Sequence, residues 1–306
     1  MSYKIGIIGC GNVGISYAYS LINQALDVYE IVLIDINKER TQGQAQDLCH
    51  SIATSKSYIS NIYYGDYSSI DDADILCITA GMPQGSTKTS RMEDIIGANK
   101  IIDDIMKNIN STKFSGIILV ASNPLDIMTY KIAKLYNNQY SKVIGSGTLL
   151  DTSRLIYELS SKLSFPIKSI SGIVCGEHGD SQFVVWSSVK VAQNYLIDDY
   201  ITQKEKLEIE EKVKHDGFSV AKLQGYTCFG IATVLSRITR AIINDEKEEL
   251  PLSTYDKEND VYISSLSRIG KEGVEENKLY SFNRKEQELY DLSCKIIKEG
   301  INSINI

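Results

Sequence analysis

The sequence predicts an α/β protein in which a doubly wound parallel sheet is followed by a mixed α+β domain. Three observations support this prediction. Short apolar runs alternate with segments of helical period through the first half, a glycine-rich turn follows the first run, and the alternation changes character after Gly145. We therefore expect two domains, residues 1–145 and 146–306, because 306 residues are about twice a typical domain length.

The first half should form a sheet with helices on both of its faces. Its apolar runs lack polar alternation because a central parallel strand is buried on both sides. The predicted strands are residues 4–8, 31–35, 75–79, 116–120 and 143–145. The predicted helices between them are residues 12–25, 38–50, 92–110 and 126–136.

The second half mixes helical and extended patterns. Its predicted helices are residues 149–163, 202–223, 228–244 and 285–300. Its predicted strands are residues 170–174, 183–190, 261–264 and 279–282, of which the first two flank a Gly-Glu-His-Gly turn. No repeat or flexible linker separates the halves, so we expect them to share a tight interface.

Composition narrows the class of partner. Hydrophobic residues make up 43% and charged residues 23% of the chain, which is typical of a folded globular protein. The net charge of -7 argues against nucleic acid or an anionic membrane as the main partner, so we expect a small molecule. The apolar runs are far shorter than the roughly 18 residues of a membrane span, and we expect neither a span nor a signal peptide.

The six cysteines are scattered along the chain. They form no Cys-x-x-Cys pair, and no histidines cluster near them. This pattern predicts neither a metal site nor a disulfide framework. A reducing, cytoplasmic location fits it best.

Residues 9–14 read GCGNVG, a G-x-G-x-x-G pattern between the first predicted strand and the first predicted helix. In that position Gly9 permits a tight turn, Gly11 lets the main chain approach a pyrophosphate, and Gly14 lets helix and strand pack closely. The helix N-terminus would face the negative charge of the phosphates. Because the pattern alone also occurs in plain flexible turns, its position is what makes it informative.

Asp35 supplies the second nucleotide signal. It ends the second predicted strand and follows Gly14 by 21 positions, from 14 to 35. A carboxylate there accepts hydrogen bonds from the adenosine ribose and repels a 2′-phosphate, which favours NAD over NADP in a Rossmann domain. The alternative is an aspartate that only caps the next helix.

Three histidines are candidates for proton transfer. His215 lies in a charged stretch typical of solvated helix surface, and His50 ends a predicted helix, where a positive charge is favourable. His178 instead lies on a glycine-flanked turn between two strands, where a side chain can face a cleft. Its imidazole titrates in the range that reduction of a ketone by hydride transfer requires of a proton donor.

An imidazolium needs a carboxylate to orient it and to stabilise its charge. Asp151 is the candidate, and it lies three residues before Arg154, on the same face of a predicted helix. The two residues could equally form an ordinary surface salt bridge.

At this point the chain resembles the L-lactate/L-malate dehydrogenase family along nearly its whole length. The matching motifs occur in the order of the family and are far more specific together than the glycine pattern. They are residues 9–14, Asp35, 65–67, 79–81, 122–124, 145–148, 151–154, 176–180 and 236–238.

The resemblance implies a role for each matching residue. His178 would be the proton donor and acceptor, Asp151 its orienting carboxylate, and Arg154 the bidentate clamp on the substrate carboxylate. Arg91 would lie on a mobile loop that polarises the substrate carbonyl, while Asn123 and Thr227 would contact substrate. The implied NAD-contacting residues are Gly9, Gly11, Asn12, Val13, Gly14, Asp35, Tyr67, Gly81, Met82, Asn123 and Ser146, and no metal site is implied.

The same resemblance bears on the substrate. Lactate-type members have Gln a few positions before the loop arginine, as Gln84 stands here, and malate-type members have Arg. A dicarboxylate would bury its second charge against a neutral amide, so malate is the weaker reading. Residues 181–187, 217–220 and 225–227 look like L-2-hydroxyisocaproate dehydrogenases, which take bulkier 2-oxo acids, and this alternative stays open. A further alternative is an NAD-binding protein without catalysis.

We therefore expect an NAD-dependent L-lactate dehydrogenase that interconverts pyruvate and L-lactate and assembles as a homodimer or homotetramer. The assembly follows from the resemblance alone.

Overall fold

A computed structural model describes residues 2–82, 91–192 and 195–304. In its first half the strands are β1 (Tyr3–Ile8), β2 (Val28–Ile34), β3 (Asn61–Tyr64), β4 (Ile75–Ile78), β5 (Ile117–Val120) and β6 (Val143–Gly145). The helices are α1 (Asn12–Asn23), α2 (Lys38–Ile52), α3 (Arg91–Ile109) and α4 (Leu125–Leu135).

The second half begins with α5 (Leu149–Leu163). Its short strands are β7 (Ile170–Ser171), β8 (Val174–Cys175), β9 (Phe183–Val184), β10 (Lys190–Val191) and β11 (Tyr195–Leu196). They are followed by α6 (Gln203–Gln224), α7 (Phe229–Ile243), β12 (Glu248–Asp256), β13 (Val261–Gly270), β14 (Gly273–Glu276) and α8 (Arg284–Asn302).

One large sheet organises the molecule. Its strand order is β14-β13-β12-β6-β5-β4-β1-β2-β3, in which β1 to β6 pair in parallel and β12 to β14 extend the sheet in antiparallel fashion. The parallel part has the order 3-2-1-4-5-6 of a Rossmann sheet, and the order reverses between β1 and β4. Ligands of such sheets bind at this reversal, beyond the carboxyl ends of the strands. The predicted fold class is confirmed.

Helices cover both faces of the sheet. On one face Ile78 and Val120 pack with side chains of α3, α4 and α8. On the other face Ile5 and Ile7 pack with α1, α2 and α7. The continuous apolar runs of the sequence follow from this double burial. A third, smaller core lies between α5, α6 and β8 to β10, where Leu155 and Val213 are buried.

The eight predicted helices are all present, with ends within two residues of those observed. The strands were predicted less well. Strands β3, β11, β12 and β14 were not predicted from the sequence, and the predicted strand at residues 279–282 is wrong. Its apolar residues instead reach the core from irregular chain, where the ring of Phe282 lies 5.8 Å from that of Phe183.

Pro251 explains why β12 was missed, because proline inside a run argues against a central strand. β12 pairs with β13 along its whole length but meets β6 only where Ser253 faces Gly145. A residue without an N–H group is therefore tolerated on the β6 side. The predicted strands 170–174 and 183–190 are also shorter than expected, since each divides into two-residue strands.

Candidate active site

The glycine-rich turn connects β1 to α1 at the point where the strand order reverses. Gly9 has φ +95°, and a Cβ at this position would lie 2.5 Å from the main-chain nitrogen of Ala80, which follows β4. The hydroxyl of Thr79 donates to the Gly9 carbonyl at 2.5 Å. The turn is thus fastened to both strands that border the reversal.

Gly14 and Gly11 have the two different environments that the sequence predicts. A Cβ on Gly14 would lie 2.2 Å from the Gly9 carbonyl oxygen, so only glycine lets α1 pack this closely. A Cβ on Gly11 would meet no atom of a distant described residue within 4 Å. Gly11 is also the N-cap of α1 and offers no side chain to its first N–H groups. This open, uncapped main chain suits a pyrophosphate.

Asp35 connects the glycine-rich turn to the end of β2. Its carboxylate accepts the main-chain N–H of Cys10 at 2.6 Å and that of Asn37 at 2.8 Å. The helix-capping alternative is not what the geometry shows, because Asn37 is the residue that caps α2. The side chain of Ile36 beside it is 100% exposed, an apolar surface next to the carboxylate that the sequence analysis did not single out.

The other predicted cofactor residues follow the carboxyl ends of four different strands. Tyr67 follows β3, Gly81 and Met82 follow β4, Asn123 follows β5, and Ser146 follows β6. Parallel strands bring these positions to one edge of the sheet. Gly81, Met82 and Asn123 are exposed there, Tyr67 is half-buried and Ser146 is buried, while Asn12 and Val13 open α1 at the same edge.

A chain of three side chains forms the chemical part of the site. The His178 Nδ1 atom lies 2.8 Å from Asp151 Oδ2, and Arg154 Nη1 donates to Asp151 Oδ1 at 2.8 Å. The Asp151 side chain is only 3% exposed, against 26% for His178 and 16% for Arg154. Asp151 and Arg154 are therefore not a surface ion pair, and Asp151 links Arg154 to His178.

Two threonines hold α5 so that Asp151 faces the histidine turn. Thr148 donates its hydroxyl to the Val174 carbonyl at 2.5 Å, and Thr152 accepts the Val174 N–H at 2.9 Å. The turn itself begins at Gly176, whose φ of +95° favours glycine. Gly176 also exchanges two main-chain hydrogen bonds of 3.0 Å with Ser264 of β13.

The electrostatics of the pair favour the charged forms. Burial lowers the pKa of His178, but the charge and hydrogen bond of Asp151 outweigh it, and the net pKa is raised above its ordinary value. Burial acts to raise the pKa of Asp151, and His178 and Arg154 reverse that effect, so this pKa is lowered. The site can therefore hold an imidazolium beside a carboxylate and a guanidinium.

Two residues that contact His178 or Arg154 were not predicted from the sequence. Asp126 in α4 is 2% exposed and accepts the main-chain N–H of His178 at 2.7 Å. Its one available signal was an acidic residue inside an otherwise apolar helical segment. Gly217 of α6 packs on Arg154, because a Cβ there would lie 2.9 Å from Arg154 Nη2.

The remaining predicted substrate residues are less defined. Thr227 is half-buried between α6 and α7. Arg91 is the first residue of α3, and Gln84 lies outside the described residues.

Across residues 2–82, 91–192 and 195–304, no group of three or more His, Cys, Asp or Glu side chains could hold a metal ion. No helix in that part of the chain is long and apolar enough to cross a membrane.

Comparisons with known proteins agree with this geometry. Residues 3–145 match the family model described as lactate/malate dehydrogenase, NAD binding domain, and residues 148–305 match the model of its alpha/beta C-terminal domain. The L-lactate dehydrogenase of Halalkalibacterium halodurans is 39% identical over 302 residues, covering 97% of this chain and 96% of the relative.

A second relative and a solved structure point the same way. L-lactate dehydrogenase 1 of Lactococcus lactis subsp. lactis is 38% identical over 282 residues, covering 89% of this chain and 85% of the relative. The crystal structure of the minor L-lactate dehydrogenase from Enterococcus mundtii has a TM-score of 0.94 and 32% identity, and the match covers 100% of this chain and 99% of that one.

Proposed function

The chain belongs to the lactate/malate dehydrogenase family, and from this membership we infer that it is an NAD-dependent L-lactate dehydrogenase. The reaction is the interconversion of a 2-oxo acid, pyruvate, with its L-2-hydroxy acid. The observation that carries this proposal is the continuous His178–Asp151–Arg154 chain, with both of its contacts at 2.8 Å. Cofactor binding alone would need none of these three side chains.

His178 acts as the proton donor in reduction and the proton acceptor in oxidation. Its Nδ1 atom faces Asp151, which leaves Nε2 for the carbonyl oxygen of the substrate. NADH, held by the glycine-rich turn and Asp35, would supply the hydride that the carbonyl carbon accepts. The Nε2 proton then neutralises the developing alkoxide, and Asp151 stays ionised while it fixes the orientation of the ring.

Arg154 binds the carboxylate of the substrate. Its planar guanidinium can donate two parallel hydrogen bonds, and its contact with Asp151 holds the plane in place. One carboxylate thus orients both the proton donor and the substrate clamp. Asn123 and Thr227 contact the substrate from the two halves of the chain, and Arg91 polarises the carbonyl.

Gln84 sets the preference for a monocarboxylate, because a second substrate carboxylate would be desolvated beside a neutral amide. Malate is disfavoured for this reason. The curated relatives carry the name L-lactate dehydrogenase, so the alternative of an L-2-hydroxyisocaproate dehydrogenase is not favoured.

NAD is the cofactor, since residues 3–145 match an NAD-binding domain. The open main chain at Gly11 fits its pyrophosphate, and Asp35 fits its adenosine ribose. The negative charge of Asp35 favours NAD over NADP. The predicted cofactor residues after β3 to β6 line the same edge and complete the site.

The two-domain division at residue 145 is part of the proposal, and the separate family models for residues 3–145 and 148–305 support it. We also propose a homodimer or homotetramer. The exposed side chains of Phe218, Leu223 and Phe229 give α6 and α7 an apolar surface for a second copy.

All six cysteines are free, which fits a cytoplasmic location.

The test follows NADH oxidation by the purified protein with pyruvate, oxaloacetate and 2-oxoisocaproate. We expect kcat/KM for pyruvate to exceed the others by about tenfold or more, since a pocket discriminates by about 1–3 kcal/mol per methylene. A kcat/KM that is higher for 2-oxoisocaproate than for pyruvate would make 2-oxoisocaproate the assigned substrate instead. The His178→Ala variant should lose turnover and still bind NADH, whereas undiminished turnover would remove His178 from the mechanism.

A further inference from the structure

A second buried carboxylate contacts His178, at its main chain rather than its ring. Asp126 Oδ2 accepts the main-chain N–H of His178 at 2.7 Å, and Asp126 Oδ1 accepts the hydroxyl of Ser253 at 2.5 Å. We propose that Asp126 is a positioning residue that fixes the histidine turn and, through its negative charge, favours the protonated form of His178. The inference rests on the proposed role of His178 as proton donor.

Asp126 is placed where three segments of the site meet. It lies in the first turn of α4, three residues after Asn123. His178 belongs to the turn after β8, and Ser253 is the residue through which β12 meets β6. One carboxylate therefore connects the segment that carries Asn123 to the turn that carries the proton donor, and so sets the distance between them.

The charge of Asp126 is available to His178 near neutral pH. Burial raises the pKa of Asp126 to about 6, while the hydrogen bonds from Ser253 and from the His178 N–H limit that rise. The carboxyl group is thus mostly ionised at pH 7. Its other titratable neighbours are Glu177 on the histidine turn and Cys294 of α8, a thiol whose own pKa burial raises to about 12.

Among the residues that the structure describes, charged side chains come close to His178 from two helices and from its own turn. Asp151 and Arg154 come from α5, Glu177 precedes it on the turn, and Asp126 comes from α4. Asp151 contacts the ring at Nδ1, whereas Asp126 contacts the main chain. Loss of the Asp126 charge should therefore leave the ring hydrogen bond in place and still lower the affinity of the imidazole for its proton.

The Asp126→Asn variant tests this directly. The asparagine keeps the size and one carbonyl oxygen for the His178 N–H, and it removes the charge. The chain has only three histidines, so an NMR titration of histidine-labelled protein without cofactor or substrate can follow each one. The exposed His50 and His215 serve as internal references, and the signal missing from His178→Ala identifies His178.

We expect the pKa of His178 to fall by about 0.5 to 1 unit in Asp126→Asn, with His50 and His215 unchanged. The basic limb of kcat/KM for pyruvate reduction should move down by the same amount. The NMR titration requires no turnover, so it judges this inference separately from the substrate assignment. An unchanged His178 titration in a folded Asp126→Asn protein would overturn the electrostatic role.

Two serines provide a matched pair of milder variants. Ser253 and Ser264 face each other in the β12–β13 register and are both buried, but the Ser264 hydroxyl has no hydrogen-bond partner among the residues the structure describes. Ser253→Ala should raise the pKa of Asp126 and thereby lower that of His178 slightly, whereas Ser264→Ala should not. If Asp126→Asn does not fold, identical His178 titrations in these two variants reject the proposal.

Discussion

At the scale of single residues, Asp151 is the side chain that connects the other two members of the His178–Asp151–Arg154 group. Its two oxygens contact different side chains, the His178 ring and the Arg154 guanidinium, each at 2.8 Å. A carboxylate this buried would be costly alone, and its two partners offset that cost. One side chain therefore orients both the proposed proton donor and the proposed substrate clamp, and a change at Asp151 should affect both.

We predict that Asp151→Asn lowers kcat/KM for pyruvate by about 10²- to 10⁴-fold, by analogy with the loss of an orienting carboxylate in hydrolase triads. The variant keeps the size of the side chain but removes the charge that raises the pKa of His178. The acidic form of His178 is required for reduction, so the basic limb of the pH profile should also move to lower pH.

The exposed Asp180 of the same turn provides a charge-matched control, and Asp180→Asn should retain activity. The raised pKa of His178 also stabilises the fold, and that stabilisation is fully present below pH 6.5 and lost as the pH rises through the folded-state pKa. The unfolding free energy of Asp151→Asn should lack this dependence. Equal slopes against pH for the two proteins would contradict the coupling.

Gly217 should be a substrate-affinity position. An alanine Cβ would lie 2.9 Å from Arg154 Nη2, and the contact with Asp151 restricts how far the guanidinium can move away. We predict that Gly217→Ala raises KM for pyruvate about tenfold or less, with a smaller effect on kcat, because the clamp rather than the proton donor is displaced.

The matched control for this prediction is Gly43→Ala, also within a helix. A Cβ on Gly43 meets no distant described atom within 4 Å, so this change should leave KM alone and stabilise the protein by about 0.5–1 kcal/mol. Steady-state kinetics of both variants measure KM, and denaturant unfolding measures their free energies of unfolding. A KM for Gly217→Ala equal to that of the parent would show that the clamp tolerates the methyl group.

At the scale of elements, the β1–α1 connection contains one glycine that is needed for packing and another that we propose for ligand binding. Gly14 brings the helix against the strand, where a Cβ would lie 2.2 Å from the Gly9 carbonyl oxygen. Gly11, three residues earlier, has open space at its Cβ position. Glycine is thus needed at position 14 for close packing of helix and strand, and we propose that it is needed at position 11 for the approach of a ligand.

We predict that Gly11→Ala weakens NADH binding by about tenfold or more, because the added methyl group would lie where the pyrophosphate approaches the main chain, and leaves stability nearly unchanged. Gly14→Ala should instead destabilise the protein by about 1–3 kcal/mol, the usual cost of overpacking. NADH fluorescence titration and thermal unfolding measure the two quantities separately. A Gly11→Ala protein that binds NADH normally would place the pyrophosphate elsewhere.

At the scale of the whole molecule, the shared sheet joins the two halves of the chain. β12 to β14 come from the second half and extend the parallel sheet of the first through β6. The hydroxyl of Tyr17 in α1 also lies 2.6 Å from that of Thr239 in α7, a buried contact between the halves. The proposed proton donor His178 and the proposed nucleotide edge therefore belong to one continuous sheet framework.

We predict that both halves unfold in a single transition. Trp186 is the only tryptophan of the chain and lies in the second half, so its fluorescence reports that half, while far-UV circular dichroism reports the whole. The two thermal midpoints should coincide. Saturating NADH, which binds the first half, should raise the Trp186 midpoint as well, since a ligand stabilises any unit coupled to its site. Two separate midpoints would show independent domains.

The sequence by itself predicted the helices, five of the six strands of the Rossmann half and the candidate residues of the chemical site. Helical periodicity and the G-x-G-x-x-G turn are local patterns, and motifs such as residues 151–154 and 176–180 are contiguous in the chain. Local patterns are legible in sequence because neighbouring residues express them without reference to distant ones. The side chains that each motif places on one turn or one helix face could therefore be named in advance.

Only the tertiary structure decided the strands β3, β11, β12 and β14, the contact of Asp126 with His178 and the contact of Gly217 with Arg154. β12 contains Pro251 and exists because β13 pairs along its whole length, a contact that no local pattern encodes. Asp126 is 52 positions from His178, and Gly217 is 63 from Arg154, so neither contact leaves a signal in the spacing of residues. The physical reason is that burial and hydrogen bonding between distant segments are properties of the packed chain.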